Sequence, residues 1–150
     1  MKKTLITLVT VFVCLTSNIA LGQDAKDVEI VHLTKEMFLK EIWNYEKNPQ
    51  EFIYEGKKPC IIDFYASWCG PCRMFSTTLQ QIANEYKGKV ICYKVNTEEQ
   101  KELSAIFGVR SIPAILFVPK KGKPQMGMGN LPKETVIQAI NEVLLTDNKK

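Results

Sequence analysis

The chain has a single histidine, His32, and no second Cys-x-x-Cys pair beside Cys69-Gly70-Pro71-Cys72. A structural zinc site usually takes four ligands, from two cysteine pairs or from cysteines with histidines, so the composition argues against a metal centre. An apolar run long enough to cross a bilayer, ~20 residues, is also missing. The longest candidate, Leu5 to Leu15, has 11. Excess charge of one sign is lacking too. The first 22 residues hold two of the 20 basic side chains and none of the 16 acidic ones, which leaves 18 against 16, or +2, for the remainder. A nucleic-acid binder shows a stronger basic imbalance, and the terminal Lys149-Lys150 pair reads as a solvated tail. Internal repeats and low-complexity tracts are absent.

Residues 1–22 have the pattern of a cleavable secretory signal. Lys2 and Lys3 make a positive start, the apolar stretch follows, and Ala20-Leu21-Gly22 puts small residues where a signal peptidase cuts. We expect cleavage after Gly22, with an uncleaved anchor as the alternative. Membrane contact is then confined to this segment before it is removed. Residues 23–150 suit one domain with one core.

Four cysteines remain in that domain: Cys60, Cys69, Cys72 and Cys92. Cys60 and Cys92 lie in apolar runs, where a cysteine is usually a small buried hydrophobe. Cys69 and Cys72 lie elsewhere, between the apolar run Cys60–Ala66, which reads as a buried strand, and a segment in which Phe75, Leu79, Ile82, Ala83 and Tyr86 recur at helical spacing. The two cysteines therefore stand where a strand turns into a helix, close enough to bridge on the first turn.

The rest of the chain reads as alternating elements. Val28–Leu33 suggests a strand. Thr34 suits an N-cap for an amphipathic helix carrying Phe38, Ile42 and Tyr45 to about Lys47. Lys87-Gly88 stops the helix after the cysteines. Val90–Val95 is a second apolar strand, and Glu98–Phe107 is a short helix closed by Gly108. Pro113–Pro119 and Gln125–Gly129 form a hairpin around Gly122, and the two glycines of its return strand mark an edge. Pro132 opens a last helix lined by Val136, Ile137, Ile140, Val143 and Leu144. Strand–helix–strand units give parallel pairs and the hairpin an antiparallel one. The expected class is α/β, a mixed central sheet with helices on both faces and an N-terminal β/α extension.

The chemistry follows from position. Cys69 at a helix start faces unpaired N–H groups and a positive dipole, which favours its thiolate, the nucleophile of disulfide exchange. Cys72, one turn in, would resolve the mixed disulfide. Gly70 lets the turn pass close to a partner, and Pro71 loses nothing by lacking an N–H in the first turn. A purely structural bridge is the bland alternative. Asp63 interrupts a buried strand, and a carboxylate there is costly unless paired or neutral. Its raised pKa makes it a candidate proton acceptor for Cys72. Lys94 occupies the same kind of place in the Val90–Val95 strand and could neutralise it. The alternative is that Asp63 points to solvent. For Ile112-Pro113, pattern alone argues for a trans bond. His32 is given no chemical role.

Together these residues resemble the thioredoxin family. The specific core is Asp63-Phe64-Tyr65-Ala66-Ser67-Trp68-Cys69-Gly70-Pro71-Cys72. Lys94-Val95-Asn96, Phe107 to Pro113 and Gly129 add to it. The resemblance implies the thioredoxin fold and a dithiol–disulfide oxidoreductase that needs no cofactor. It implies a cis Ile112-Pro113 bond facing the cysteines, and a docking surface of Trp68, Gly70, Pro71, Ile112, Pro113 and the Met128-Gly129 region. It makes Asp63 and Lys94 the family's buried acid and its lysine. Tyr65 departs from the family's usual tryptophan, and Thr77 from a helix-kinking proline. If Asp63 and Lys94 share a face, alternation turns Cys60 and Cys92 apart.

The expected function is reduction of protein disulfides outside the cytoplasm, as in periplasmic thioredoxins. The Cys69–Cys72 redox disulfide would be re-reduced by a membrane thiol carrier, and the protein is expected to be a monomer. An oxidase or isomerase using the same cysteines, and a peptide-binding chaperone, remain open at this point.

Overall fold

The computed structural model describes residues 26–146. The signal-like segment and its cleavage site lie outside them. Ten stretches of regular structure follow in order: β1 (Val31–His32), α1 (Lys35–Glu41), β2 (Cys60–Tyr65), α2 (Gly70–Glu85), β3 (Ile91–Asn96), α3 (Lys101–Ile106), β4 (Ala114–Val118), β5 (Gln125–Met128), and α4 (Lys133–Ala139) with a wider last turn over Ile140–Leu144.

The five strands form one mixed sheet in the order β1-β3-β2-β4-β5. β3 is parallel to β2, which α2 joins to it by a crossover, and to β1, from which α1, β2 and α2 separate it along the chain. β4 runs antiparallel to β2, and β5 returns antiparallel to β4 through the hairpin. β2 is therefore internal, and five of its six residues are fully buried. Such a strand must be apolar on both faces, which its sequence satisfies except at Asp63.

Strand alternation divides the core in two. On one face Cys60, Ile62 and Phe64 pack with Phe38 of α1 and Leu103 of α3. On the other, Ile61 and Cys92 pack with Phe75, Leu79 and Ile82 of α2 and with Val136 and Ile140 of α4. Helices thus cover both faces, as the pattern of elements predicts.

Three elements are shorter than their hydrophobic patterns suggest, each for a local reason. β1 is only Val31–His32, because α2 side chains take the backbone of Val28. Asn84 Oδ1 accepts from its N–H at 2.8 Å, and Gln80 Nε2 donates to its carbonyl at 2.8 Å. α1 stops at Glu41 instead of about Lys47. Asn44 begins a separate turn in which its side chain accepts from the Lys47 N–H, the usual way asparagine competes with a helix. α3 begins at Lys101 because Asn96 Oδ1 first turns the chain by accepting from the Glu98 N–H.

The expected caps are present. Thr34 Oγ1 accepts from the Met37 N–H at 3.3 Å. Gly88, after α2, has φ +80°, a conformation that favours glycine.

A dithiol site at the start of the second helix

β2 delivers the chain to the site and α2 carries it away. Cys69 is the N-cap of α2. Its backbone is extended, and its Sγ accepts from the Cys72 N–H at 3.2 Å. Gly70, Pro71 and Cys72 are the first three helical residues. An N–H of the first turn, which has no partner within the helix, is thus aimed at the sulfur. Cys69 and Cys72 form a disulfide, with Cα atoms 5.3 Å apart. Burial hardly separates them, at 4% and 1% exposure. Their difference lies in position, one capping the helix and the other inside its first turn. Ala66, Tyr65 and Ile112 pack around the pair.

The Ile112–Pro113 bond is cis, which corrects the expectation from pattern alone and agrees with the resemblance. The Gly129 N–H donates to the Pro113 carbonyl at 2.8 Å, and Gly129 has φ +81°. The loop before β4 is thereby tied to the end of β5. Trp68, next to Cys69 in the chain, is a large exposed apolar side chain, as are Met74 of α2 and Met128 at the end of β5, and Pro71 is exposed as well. A shallow groove of about 210 Å³ runs between Trp68 and Ile112, lined also by Thr97, Val109, Arg110 and Ser111. Sequence reasoning named its two walls, Trp68 and Ile112, as docking residues and gave no such role to Thr97, Val109, Arg110 or Ser111, whose approach to Trp68 depends on how the loops meet. A larger hollow of about 670 Å³ lies between Trp43, Phe52 and the β4–β5 hairpin and includes neither cysteine.

Asp63 is fully buried, so it does not point to solvent. It is the register partner of Lys94 across β2 and β3. The Lys94 Nζ lies 4.0 Å from Asp63 Oδ2. Burial pushes the carboxyl up to about 7, against a smaller opposing pull from the Lys94 charge. Neither carboxyl oxygen has a hydrogen-bond partner among the described residues. Lys94 instead donates to Ser76 Oγ at 2.6 Å and sits 4.5 Å from the centre of the Tyr65 ring. The Tyr65 hydroxyl in turn meets His32 Nδ1 at 3.1 Å.

Cys60 and Cys92 are free and buried. Burial pushes both thiols up to about 12. Among the described residues no cluster of three or more His, Cys, Asp or Glu side chains is arranged to hold a metal ion.

A family model described as Thioredoxin matches residues 30–142. The chain belongs to the thioredoxin family. It is 38% identical over 112 residues to a thioredoxin of Borreliella burgdorferi, covering 75% of this chain and 95% of that protein. It is 41% identical over 99 residues to a thioredoxin of Chlorobaculum thiosulfatiphilum, covering 65% and 90% respectively. A chloroplastic M-type thioredoxin of Pisum sativum is 36% identical over 94 residues, and the match spans 55% of that longer protein. Among solved structures, chloroplastic thioredoxin z is similar in fold, with a TM-score of 0.63 at 24% identity over 77% of this chain and 94% of that one. Membership makes this chain a thioredoxin-type protein-disulfide oxidoreductase, acting on disulfide-containing substrates.

Proposed function

We propose that the protein reduces protein disulfides outside the cytoplasm, with Cys69 as nucleophile and Cys72 as resolving thiol. The observation that carries this is the Cys69–Cys72 disulfide at the mouth of α2, with Cys69 as the cap. In the dithiol form the Cys69 thiolate attacks one sulfur of the substrate disulfide. A Cys69–substrate bond forms and the other substrate sulfur leaves as a thiolate. Cys72 then gives up its proton, attacks Cys69 Sγ, and releases the second substrate thiol. Two electrons pass to the substrate, and the enzyme is left as the disulfide described above.

Asp63 is the proton acceptor for Cys72 in this reading, and the Lys94 charge offsets part of the upward push of burial. A buried carboxyl near 7 is matched to that task, since a general base works best with a pKa near the operating pH. Trp68, Gly70, Pro71, Ile112, Pro113 and Gly129 form the docking surface, in which the Ile112 backbone pairs with an extended substrate segment.

Export rests on the pattern of residues 1–22, and it sets the direction problem. An oxidising compartment does not return the disulfide to the dithiol, so a membrane thiol carrier must supply electrons. We take the working form to be a monomer. Two measurements test the proposal. The reduction potential should lie near the ~−270 mV of reducing thioredoxins, and a value near the ~−120 mV of a strong periplasmic oxidant would reverse the direction. Mass spectrometry of the exported protein should find Gln23 at its N-terminus, and retention of residues 1–22 would refute cleavage.

A further inference from the structure

Lys94 has a buried carboxylate within reach and does not close on it. An ammonium beside a carboxylate ordinarily settles at ~2.7–2.9 Å, yet Nζ stays 4.0 Å from Asp63 Oδ2. Two neighbours account for the gap. The Ser76 hydroxyl accepts from Nζ at 2.6 Å, and the Tyr65 ring lies under the charge at 4.5 Å, within the range of a cation–π contact. Tyr65 is itself held from the far side by His32. Ser76 follows Cys72 by four residues on α2, so the two share a helix face. The helix that carries the resolving thiol therefore also carries the group that restrains the lysine.

We propose that Ser76 is a positioning residue: with the Tyr65 ring, its hydroxyl holds the Lys94 ammonium back from Asp63 and leaves the carboxyl free to take up a proton. The proposal rests on the reading of Asp63 as proton acceptor for Cys72, and it adds how that acceptor is tuned. With neither oxygen paired among the described residues, the acid form of Asp63 gives up no hydrogen bond to them. A closed ion pair would instead lock it as the anion. The charged and titratable groups around it are few. β3 brings Lys94. β2 brings Tyr65, which feels both Asp63 and Glu99 of the turn before α3. β1 brings His32 behind Tyr65. α2 brings the neutral Ser76, and β4 places apolar Ile115 opposite Asp63.

The test is the titration of the Asp63 carboxyl, followed by carbon-13 NMR on the oxidised protein. Closing Nζ from 4.0 Å to ~2.8 Å at an effective dielectric of ~20 corresponds to about one pH unit. Ser76→Ala should lower the Asp63 midpoint by about that much while the native spectrum is retained, and Ser76→Thr, which keeps a hydroxyl, should restore it. An unchanged midpoint in a folded Ser76→Ala protein overturns the proposal. Tyr65→Leu removes the ring under the ammonium and should lower the midpoint as well, whereas an unchanged midpoint in the folded variant would overturn the part given to the ring. The acid limb of the disulfide-reduction pH profile should move down with the midpoint. A shifted midpoint with an unshifted profile supports the positioning role and overturns instead the assignment of Asp63 as proton acceptor.

Discussion

Cys60 and Cys92 lie on neighbouring strands one rung out of step, and they face opposite sides of the sheet. Cys60 is level with Ile91, and Cys92 is level with Ile61. Cys60 belongs to the core under α1 and α3, Cys92 to the core under α2 and α4. With the period of two along a strand, no small adjustment can join them.

The two thiols should therefore stay reduced and silent. Pushed up to about 12, each is thiolate in only about one molecule in ten thousand at pH 8, and only the thiolate reacts. The oxidised native protein should consume no alkylating reagent over hours at pH 8. Residues 23–150 in denaturant should consume two equivalents, read by mass spectrometry. Rapid labelling of the native form, or a Cys60–Cys92 crosslink, would contradict the register.

Asp63 should make the fold more stable in acid. Its folded pKa is raised from 3.8 to about 7, so between those values the native state binds a proton that the unfolded chain has released. Stability from this group is complete below about pH 4, falls as pH rises to about 7, and is flat above. At ~1.4 kcal/mol per unit the whole span is at most about 4 kcal/mol. Asp63→Asn removes the dependence. The stability of the variant minus that of the wild type, from urea unfolding, should grow from pH 4 to 7. A difference that shrinks over that range would mean that the buried carboxyl is held as the anion.

Phe38 should be among the costliest single truncations outside the site, with the equally buried Phe64 and Phe75. It is fully buried and packs against Tyr45 and Phe107. Phe38→Ala should cost ~3–5 kcal/mol of unfolding free energy, as cavity-forming aromatic deletions do. The Cys69–Cys72 chemistry should survive in whatever fraction stays folded. A loss under 1 kcal/mol would show that α1 is not part of the cooperative core.

Thr34→Ala should cost about 1 kcal/mol, since its hydroxyl is the acceptor for the Met37 N–H. Thr34→Asn should recover most of that. A null result in chemical denaturation would mean that the first turn of α1 is held by packing of Phe38 alone.

The parts of this fold that were legible in the sequence are those set by short-range rules. Thr34, Gly88 and Pro132 mark helix ends through backbone chemistry that needs no neighbour. The buried β2 strand announces itself by composition, and Asp63 stands out because it breaks that composition. The misjudged boundaries come from long-range or competing hydrogen bonds. Val28 is lost to β1 because Asn84, fifty-six residues on, takes its N–H. α1 ends early because Asn44 offers the backbone another turn. Ser76 gave no signal at all, since a serine on a helix is commonplace until the sheet register shows which lysine reaches it. His32 likewise acquired a partner only when β1 and β2 were brought onto one sheet with Tyr65.

The central claim is the division of labour between Cys69 and Cys72, and trapping tests it most directly. Cys72→Ser leaves the attacking thiol and removes the resolving one. Mixed with disulfide-bonded proteins, this variant should accumulate covalent complexes through Cys69 that are released by a small dithiol reductant. Cys69→Ser should form none. Equal trapping by both variants, or trapping by Cys69→Ser alone, would contradict the assignment.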